Sequence, residues 1–284
     1  MILLLGSNGL LGSAISRHLD STNLIAFSNK PTLVAPSRFF DLSENPNQLK
    51  IDLDTITVVI ISAALSNVGF CERHKELSKK INLEKPIEYT KYFNDMNIPC
   101  ILFSSEYVFD GLVDTCYTES SILSPKTYYG EHKAGLEEYF KDDYYNLIFR
   151  IGKLMSVTDN RSFLAKMVDE LDKNNPYLAA VDQVFSPIPL ELAVRIILEL
   201  VKKKKNGLFN LCSRISTSRY QLGLTLINRF KCPGRVTPIK LSDLETNYYI
   251  PRNLCMSSKK LFTHTDCSEP FNLENLCELS GFIY

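Results

Sequence analysis

Tyr129 and Lys133 stand four residues apart in the run YYGEHKAG over residues 128–135. That spacing stacks two side chains on one face of a helix, whereas Tyr128, five residues from the lysine, turns aside. A phenol with a pKa of about 10 is a poor acid or base at neutral pH. A neighbouring ammonium stabilises the phenolate and draws that pKa down, which fits such a pair for proton transfer. The same spacing also describes an ordinary surface pair on an amphipathic helix, so the rest of the chain has to decide.

A second chemical signal lies at the start. LLLGSNGLLGSAI (3–15) reads as a strand, a glycine turn and the opening of a helix, with Gly6, Gly9 and Gly12 spaced Gly-x-x-Gly-x-x-Gly. Glycines there permit a tight turn, close backbone approach to a pyrophosphate and tight helix–strand packing. The following helix offers free N–H groups and a positive dipole end to the phosphates. Asn8, Leu10 and Leu11 complete the expected loop contacts. Sites for NAD place a carboxylate after the second strand to hold the ribose 2′-hydroxyl. Here AFSNKPT (26–32) carries none; Ser28, Asn29 and Lys30, with Arg38 assisting, suit a 2′-phosphate better. The expected cofactor is therefore NADP(H), with NAD(H) as the alternative. Asp41, followed by Leu42, closes a third strand near the adenine edge. Ser62, Ala63, Ala64 and Leu65 close a fourth, where small residues admit a cofactor.

These residues need a frame. MILLL (1–5), NLIAF (23–27), SRFFD (37–41), TVVIIS (57–62), PCILFSS (99–105) and YNLIFRI (145–151) read as strands. Helical patterns separate several of them: LLGSAISRHLD, the long segment 72–96, and PKTYYGEHKAGLEEYF (125–140) with Pro125 in its first turn and Ser124 as N-cap. Apolar strands alternating with helices predict an α/β fold with a doubly wound parallel sheet. Residues 1–155 are expected to form the dinucleotide-binding domain, with 182–212 returning to it. A smaller substrate-binding lobe is expected from 156–181 and 213–284. The lysines at 202–205 end a helix before Asn206-Gly207, which can supply a left-handed cap.

Lysine plus arginine and aspartate plus glutamate both total 32, so no basic field exists to draw nucleic acid or anionic lipid. A pI near 6.9 gives a reason to expect self-association, in the form of a homodimer. The apolar start lacks a charged n-region, and VVIISAAL (58–65) is too short to cross a bilayer. The cysteines, Cys71, Cys100, Cys116, Cys212, Cys232, Cys255, Cys267 and Cys277, form no Cys-x-x-Cys pair. They read as free thiols of a cytoplasmic protein, and no metal site is expected, His264-Thr-Asp-Cys267 being too isolated for zinc.

With the glycine loop, FSSEYVFDG (103–111) and YYGEHKAG read in order, the chain resembles the extended short-chain dehydrogenase/reductases, and within them the dTDP-4-dehydrorhamnose reductase family. CERHKE (71–76), DQVFSPI (182–188) and PRNLCMSSKKL (251–261) resemble further stretches of that family, so the likeness runs through the chain. The resemblance implies an NADPH-dependent reductase of a nucleotide-activated 4-keto, often 6-deoxy, sugar. It casts Tyr129 as proton donor, Lys133 as its tuner and cofactor anchor, and Ser105 as the group that orients the carbonyl. Ser104 is implied at the cofactor. Glu106, Tyr107, Val108, Phe109, Lys153, Gln183 and Arg252 are implied at the nucleotide-sugar substrate. Two departures stand out: Glu106 replaces the usual Asp, and Lys153 stands where some members carry Trp, a residue this chain lacks.

Two other readings stay open. Sugar-nucleotide dehydratases of the superfamily carry adjacent acids where Glu106 is followed by Tyr107, and they and the epimerases usually keep NAD. The regulatory β subunit of methionine adenosyltransferase resembles the same reductases yet serves as a non-catalytic binding partner.

Overall fold

The computed structural model describes residues 1–30, 38–142, 145–173, 176–270 and 272–281. Residues 31 and 32 of the predicted 2′-phosphate loop, and residue 37 of the predicted third strand, lie outside these. The first half contains β1 (Ile2–Leu5), α1 (Leu10–His18), β2 (Leu24–Ser28), β3 (Arg38–Phe39), β4 (Val58–Ile61), α2 (Val68–Arg73), α3 (Lys75–Lys79), α4 (Lys85–Asn94), β5 (Cys100–Ser105), α5 (Tyr128–Tyr139) and β6 (Leu147–Ile151). The second contains β7 (Lys153–Met155), α6 (Phe163–Asp172), β8 (Pro176–Ala180), β9 (Val184–Phe185), β10 (Pro187–Pro189), α7 (Leu190–Lys202), β11 (Gly207–Leu211), β12 (Thr217–Ser218), α8 (Arg219–Phe230), β13 (Arg235–Ile239), β14 (Asn253–Leu254), α9 (Lys259–Phe262) and α10 (Leu273–Leu279).

The main sheet has seven strands in the order β11-β6-β5-β4-β1-β2-β3, and β1 runs parallel to both β2 and β4. The strand order reverses at β1, as a doubly wound sheet requires. Strands β4 and β5 are buried along their whole length, which explains their unbroken apolar reading. Leu3, Leu5, Val59, Ile61, Leu102 and Ile148 pack with Tyr89 and Phe93 of α4 in one core cluster.

The long helical pattern at 72–96 is not one helix. It breaks at His74 and winds into a π-helical turn, Lys80–Glu84, before α4. Asn82 in that turn is fully buried, and its side chain bonds both the N–H and the carbonyl of Leu65, at 2.9 and 3.0 Å. A buried amide satisfied on both atoms compensates for the irregular helix.

By its contacts the chain forms two compact units, one of residues 1–108, 125–150 and 200–208, the other of 109–124, 151–199 and 209–284. The stretch 182–212 is thus divided between them, 200–208 counting with the first. In the second unit β7 pairs with β10, β8 with β13, and β9 with β12 and β14. Met155, Leu164, Met167, Leu171, Leu222, Leu226 and Leu276 form its core cluster. After α7 the left-handed position falls on Lys204, while Gly207, also at positive φ, begins β11. Cys116 and Cys255 form a disulfide with their Cα atoms 4.6 Å apart, which corrects the expectation of thiols throughout. The other six cysteines are free. Among the described residues no helix is long and apolar enough to cross a membrane.

Candidate active site

Where β1 ends the chain turns at Gly6, whose φ of +99° lies in the region that favours glycine. A Cβ on Gly6 would collide with the Ala63 backbone, and one on Gly12 with the Gly6 carbonyl oxygen. Gly9 differs, because the Gly6 oxygen at 3.5 Å is the one atom near its Cβ position. Gly9 precedes α1 without any side-chain cap, so the helix start keeps donors for an anion.

Beside this turn, at the carboxyl ends of β1 and β4, lies a cavity of about 470 Å³. Gly6, Asn8, Gly9, Ser28, Asn29, Lys30, Asp41, Leu42, Ala63, Ala64 and Leu65 line it, all of them expected from the sequence. Leu5, Phe27, Phe40, Ser43, Leu77 and Ile81 line it too and go beyond that expectation. Leu77 and Ile81 carried a readable signal in their four-residue spacing. The Ser43 backbone N–H, 2.8 Å from the Asp41 carboxylate, holds that carboxyl below its usual range. Ser28 is buried and donates its hydroxyl to the Lys30 carbonyl, leaving Asn29 and Lys30 exposed. Arg38 turns to the Lys50 carbonyl, 3.4 Å away. Leu10, Leu11 and Gly12 form the first turn of α1 and do not line the cavity, nor do Ser104, Tyr129 and Lys133.

Helix α5 begins at Tyr128 with Thr127 as N-cap, its Oγ1 accepting the Gly130 N–H at 3.1 Å. The expected start at Pro125, capped by Ser124, is therefore too early; Thr127 outcompetes it because its hydroxyl reaches the N3 amide. Tyr129 consequently sits in the first turn. From there Tyr129, Lys133 and Glu137 follow each other at four-residue intervals along one face of α5. That face meets the end of β5. Ser105 lies close enough to the Tyr129 phenol to favour its ionised form, Lys133 Nζ donates to the Phe103 carbonyl at 2.9 Å, and Ser104 donates to Glu137. Arg150 of β6 closes the row, its Nη2 at 2.7 Å from Glu137 Oε2, both groups buried.

Burial dominates the protonation of the pair. It pushes Tyr129 up to about 12 against the effect of Ser105, and it pushes Lys133 down to about 8. The expectation that Lys133 would draw the phenol below its ordinary value is thus reversed here. Lys133 Nζ lies 5.9 Å from the centre of the Tyr129 ring, and both residues are buried. Glu106 is buried beside the site and adds to the rise at Tyr129. The Tyr107 ring meets that of Tyr129 edge-on at 6.1 Å.

The structure does not present the remaining residues alike. Val108 is fully buried, and Phe109, equally buried, stacks on Tyr117 with ring centres 3.9 Å apart. In the second unit Lys153 Nζ lies 5.6 Å from the centre of the Phe163 ring, and the Arg219 guanidinium lies 5.3 Å from the same ring. Gln183 is buried and donates to the Pro251 carbonyl, 3.3 Å away, whereas Arg252 is exposed. No local motif marked Glu137 or Arg150, whose pairing joins α5 to β6.

Known proteins share this architecture. The chain is 25% identical to the probable low-salt glycan biosynthesis reductase Agl14 of Haloferax volcanii, over 97% of this chain and 96% of that one. It is 28% identical to the dTDP-4-dehydrorhamnose reductase of Escherichia coli K12, over 86% and 82% of the two chains. The structure of dTDP-4-dehydrorhamnose reductase from Bacillus anthracis in complex with NADP superposes with a TM-score of 0.81 at 18% identity, covering 98% and 97%. A model of the RmlD substrate binding domain matches residues 1–275, and the chain belongs to that family.

Proposed function

We propose that the chain is an NADPH-dependent reductase of a nucleotide-activated 4-keto-6-deoxy sugar, with Tyr129 as its proton donor. The observation that carries this reading is the buried row in which Tyr129 meets Ser105 and Lys133 meets the Phe103 carbonyl. The names of its relatives support the reaction class. The glycine turn fits a dinucleotide: Gly9 is open on its outer side, the start of α1 is uncapped, and Lys30 lies on the cavity rim where a 2′-phosphate would need a cation.

Gly6, Asn8 and Gly9 would hold the pyrophosphate, and Asn29 and Lys30 the adenosine phosphate. When bound, the nicotinamide supplies a hydride for the ketone carbon. At neutral pH Tyr129 keeps its proton, as a donor to a developing alkoxide must. Ser105 orients the carbonyl oxygen towards the phenol. As the proton leaves, the Lys133 ammonium offsets the phenolate charge in a site shielded from water. Solvent then restores the proton to Tyr129. Glu106 and Tyr107, of the first unit, and Lys153, Gln183 and Arg252, of the second, remain the residues assigned to the substrate, and the second unit is read as the substrate-binding lobe. The reading carries with it a cytoplasmic location and a homodimer, the latter checked by sedimentation velocity.

The test is NADPH consumption on dTDP-4-dehydrorhamnose and other nucleotide 4-keto-6-deoxy sugars, with Tyr129→Phe beside the wild type. Turnover that falls by about 10²–10⁴-fold in the variant is the expected result. Unchanged turnover in Tyr129→Phe would remove Tyr129 from the role. Tight NADPH binding without turnover on any sugar would argue for a non-catalytic partner protein.

A further inference from the structure

Glu72, in α2, is separated from α5 by α3, the π turn, α4 and β5, yet its Oε1 accepts the Tyr128 backbone N–H at 2.8 Å. Tyr128 is the first residue of α5, so this N–H is one of the donors that a helix start leaves without an intrahelical partner. A carboxylate there also faces the positive end of the helix dipole. Tyr128 is gripped at its far end as well. Lys75 Nζ donates to its hydroxyl at 2.8 Å and lies 4.1 Å from the ring centre.

The next turn has no slack. A Cβ on Gly130 would collide with the Tyr107 carbonyl oxygen and stand 3.1 Å from both Pro125 and Thr127 side-chain atoms. Tyr129 therefore sits between a residue held by Glu72 and Lys75 and a residue seated against the chain that follows Ser105. Without Glu72, α5 would keep its Thr127 cap and its buried face, so the helix would persist while its first residue lost an anchor.

We propose that Glu72 is a positioning residue for Tyr129: by capping α5 at Tyr128 it fixes where the phenol stands relative to Ser105. The proposal rests on the reading of Tyr129 as proton donor. Displacements of about an ångström at such a group cost up to about a hundredfold in rate.

Glu72→Ala and Glu72→Gln are compared with wild type and Tyr129→Phe in the full chain, with dTDP-4-dehydrorhamnose and NADPH as probes. The glutamine carbonyl can accept the same N–H, so Glu72→Gln should keep kcat within about twofold. Glu72→Ala should lower kcat by about tenfold or more with KM for both probes unchanged. Hydrogen exchange over residues 128–130, which needs no substrate, should speed up in the alanine variant alone. A merely structural role would move Tm, NADPH affinity and kcat together in both variants, and that result would overturn the proposal. So would wild-type exchange in Glu72→Ala. An inactive Tyr129→Phe beside a fully active Glu72→Ala would sink Glu72 and leave Tyr129 standing. An active Tyr129→Phe would remove both.

Discussion

Lys133 and Tyr129 stand one turn apart on α5, yet the lysine hydrogen-bonds the Phe103 carbonyl and keeps its ammonium 5.9 Å from the centre of the phenol ring. Both are buried, and burial moves them in opposite directions, Lys133 down to about 8 and Tyr129 up to about 12. Between about pH 8 and pH 10 an unfolded lysine still holds its proton while the buried one has released it. The unfolded chain then binds more protons, so this term makes stability rise with pH across that window. Above about pH 10 the phenol works in the other sense, since an unfolded tyrosine ionises first. Urea midpoints should therefore show wild type gaining on Lys133→Met by on the order of 2–3 kcal/mol between pH 8 and 10. A constant difference would mean that Lys133 keeps an ordinary pKa in the fold.

The glycines of the first turn should separate fold from binding. At Gly12 a methyl group would collide with the Gly6 carbonyl oxygen and approach Ser62 Oγ to 2.8 Å. Gly12→Ala should cost about 1–3 kcal/mol by overpacking, read as a lower Tm. At Gly9 a methyl group meets little protein and points to the open side. Gly9→Ala should leave Tm unchanged and weaken NADPH binding by about tenfold, or 1.4 kcal/mol, in a fluorescence titration. Equal behaviour of the two variants would contradict this division.

Glu137 and Arg150 form a buried ion pair, with Arg150 Nε and Nη2 at 2.9 and 2.7 Å from Glu137 Oε2. Removing either partner leaves a buried charge uncompensated, at a cost of about 3–5 kcal/mol. Glu137→Leu and Arg150→Met should each show that loss in chemical denaturation. The double variant Glu137→Leu/Arg150→Met should lose less than the sum of the single losses, because no charge is then stranded. Additive losses would show that the two side chains do not act as a pair.

The legible parts of the molecule were those set by local pattern. Leu3-Leu4-Leu5 and Val58 to Ile61 are buried on both faces, so their strands read as continuous apolar runs, and the glycine spacing marked the turn that follows the first of them. The cavity followed, because the wall residues Ser28, Asp41 and Ala63 sit just at or beyond strand ends. What failed depended on distant partners. Segment 72–96 scans as one helix because its periodicity is unbroken; its π turn exists for the contact between Asn82 and Leu65, which no periodicity records. The start of α5 was misplaced because Ser124-Pro125 and Thr127 carry the same local signal. The direction of the Tyr129 shift was missed because spacing shows a neighbouring charge and hides the burial that outweighs it.

The Cys116–Cys255 bond closes a ring with a tail at each end. The longer tail, 1–115, carries the glycine turn and β1 to β5, while α5, with Tyr129 and Lys133, lies in the closed ring. A single protease cut between residues 116 and 255 would open that ring without releasing a fragment. Such a nicked molecule should run as one species on a denaturing gel without reductant and as two with it, whereas a cut in either tail would release a piece under either condition.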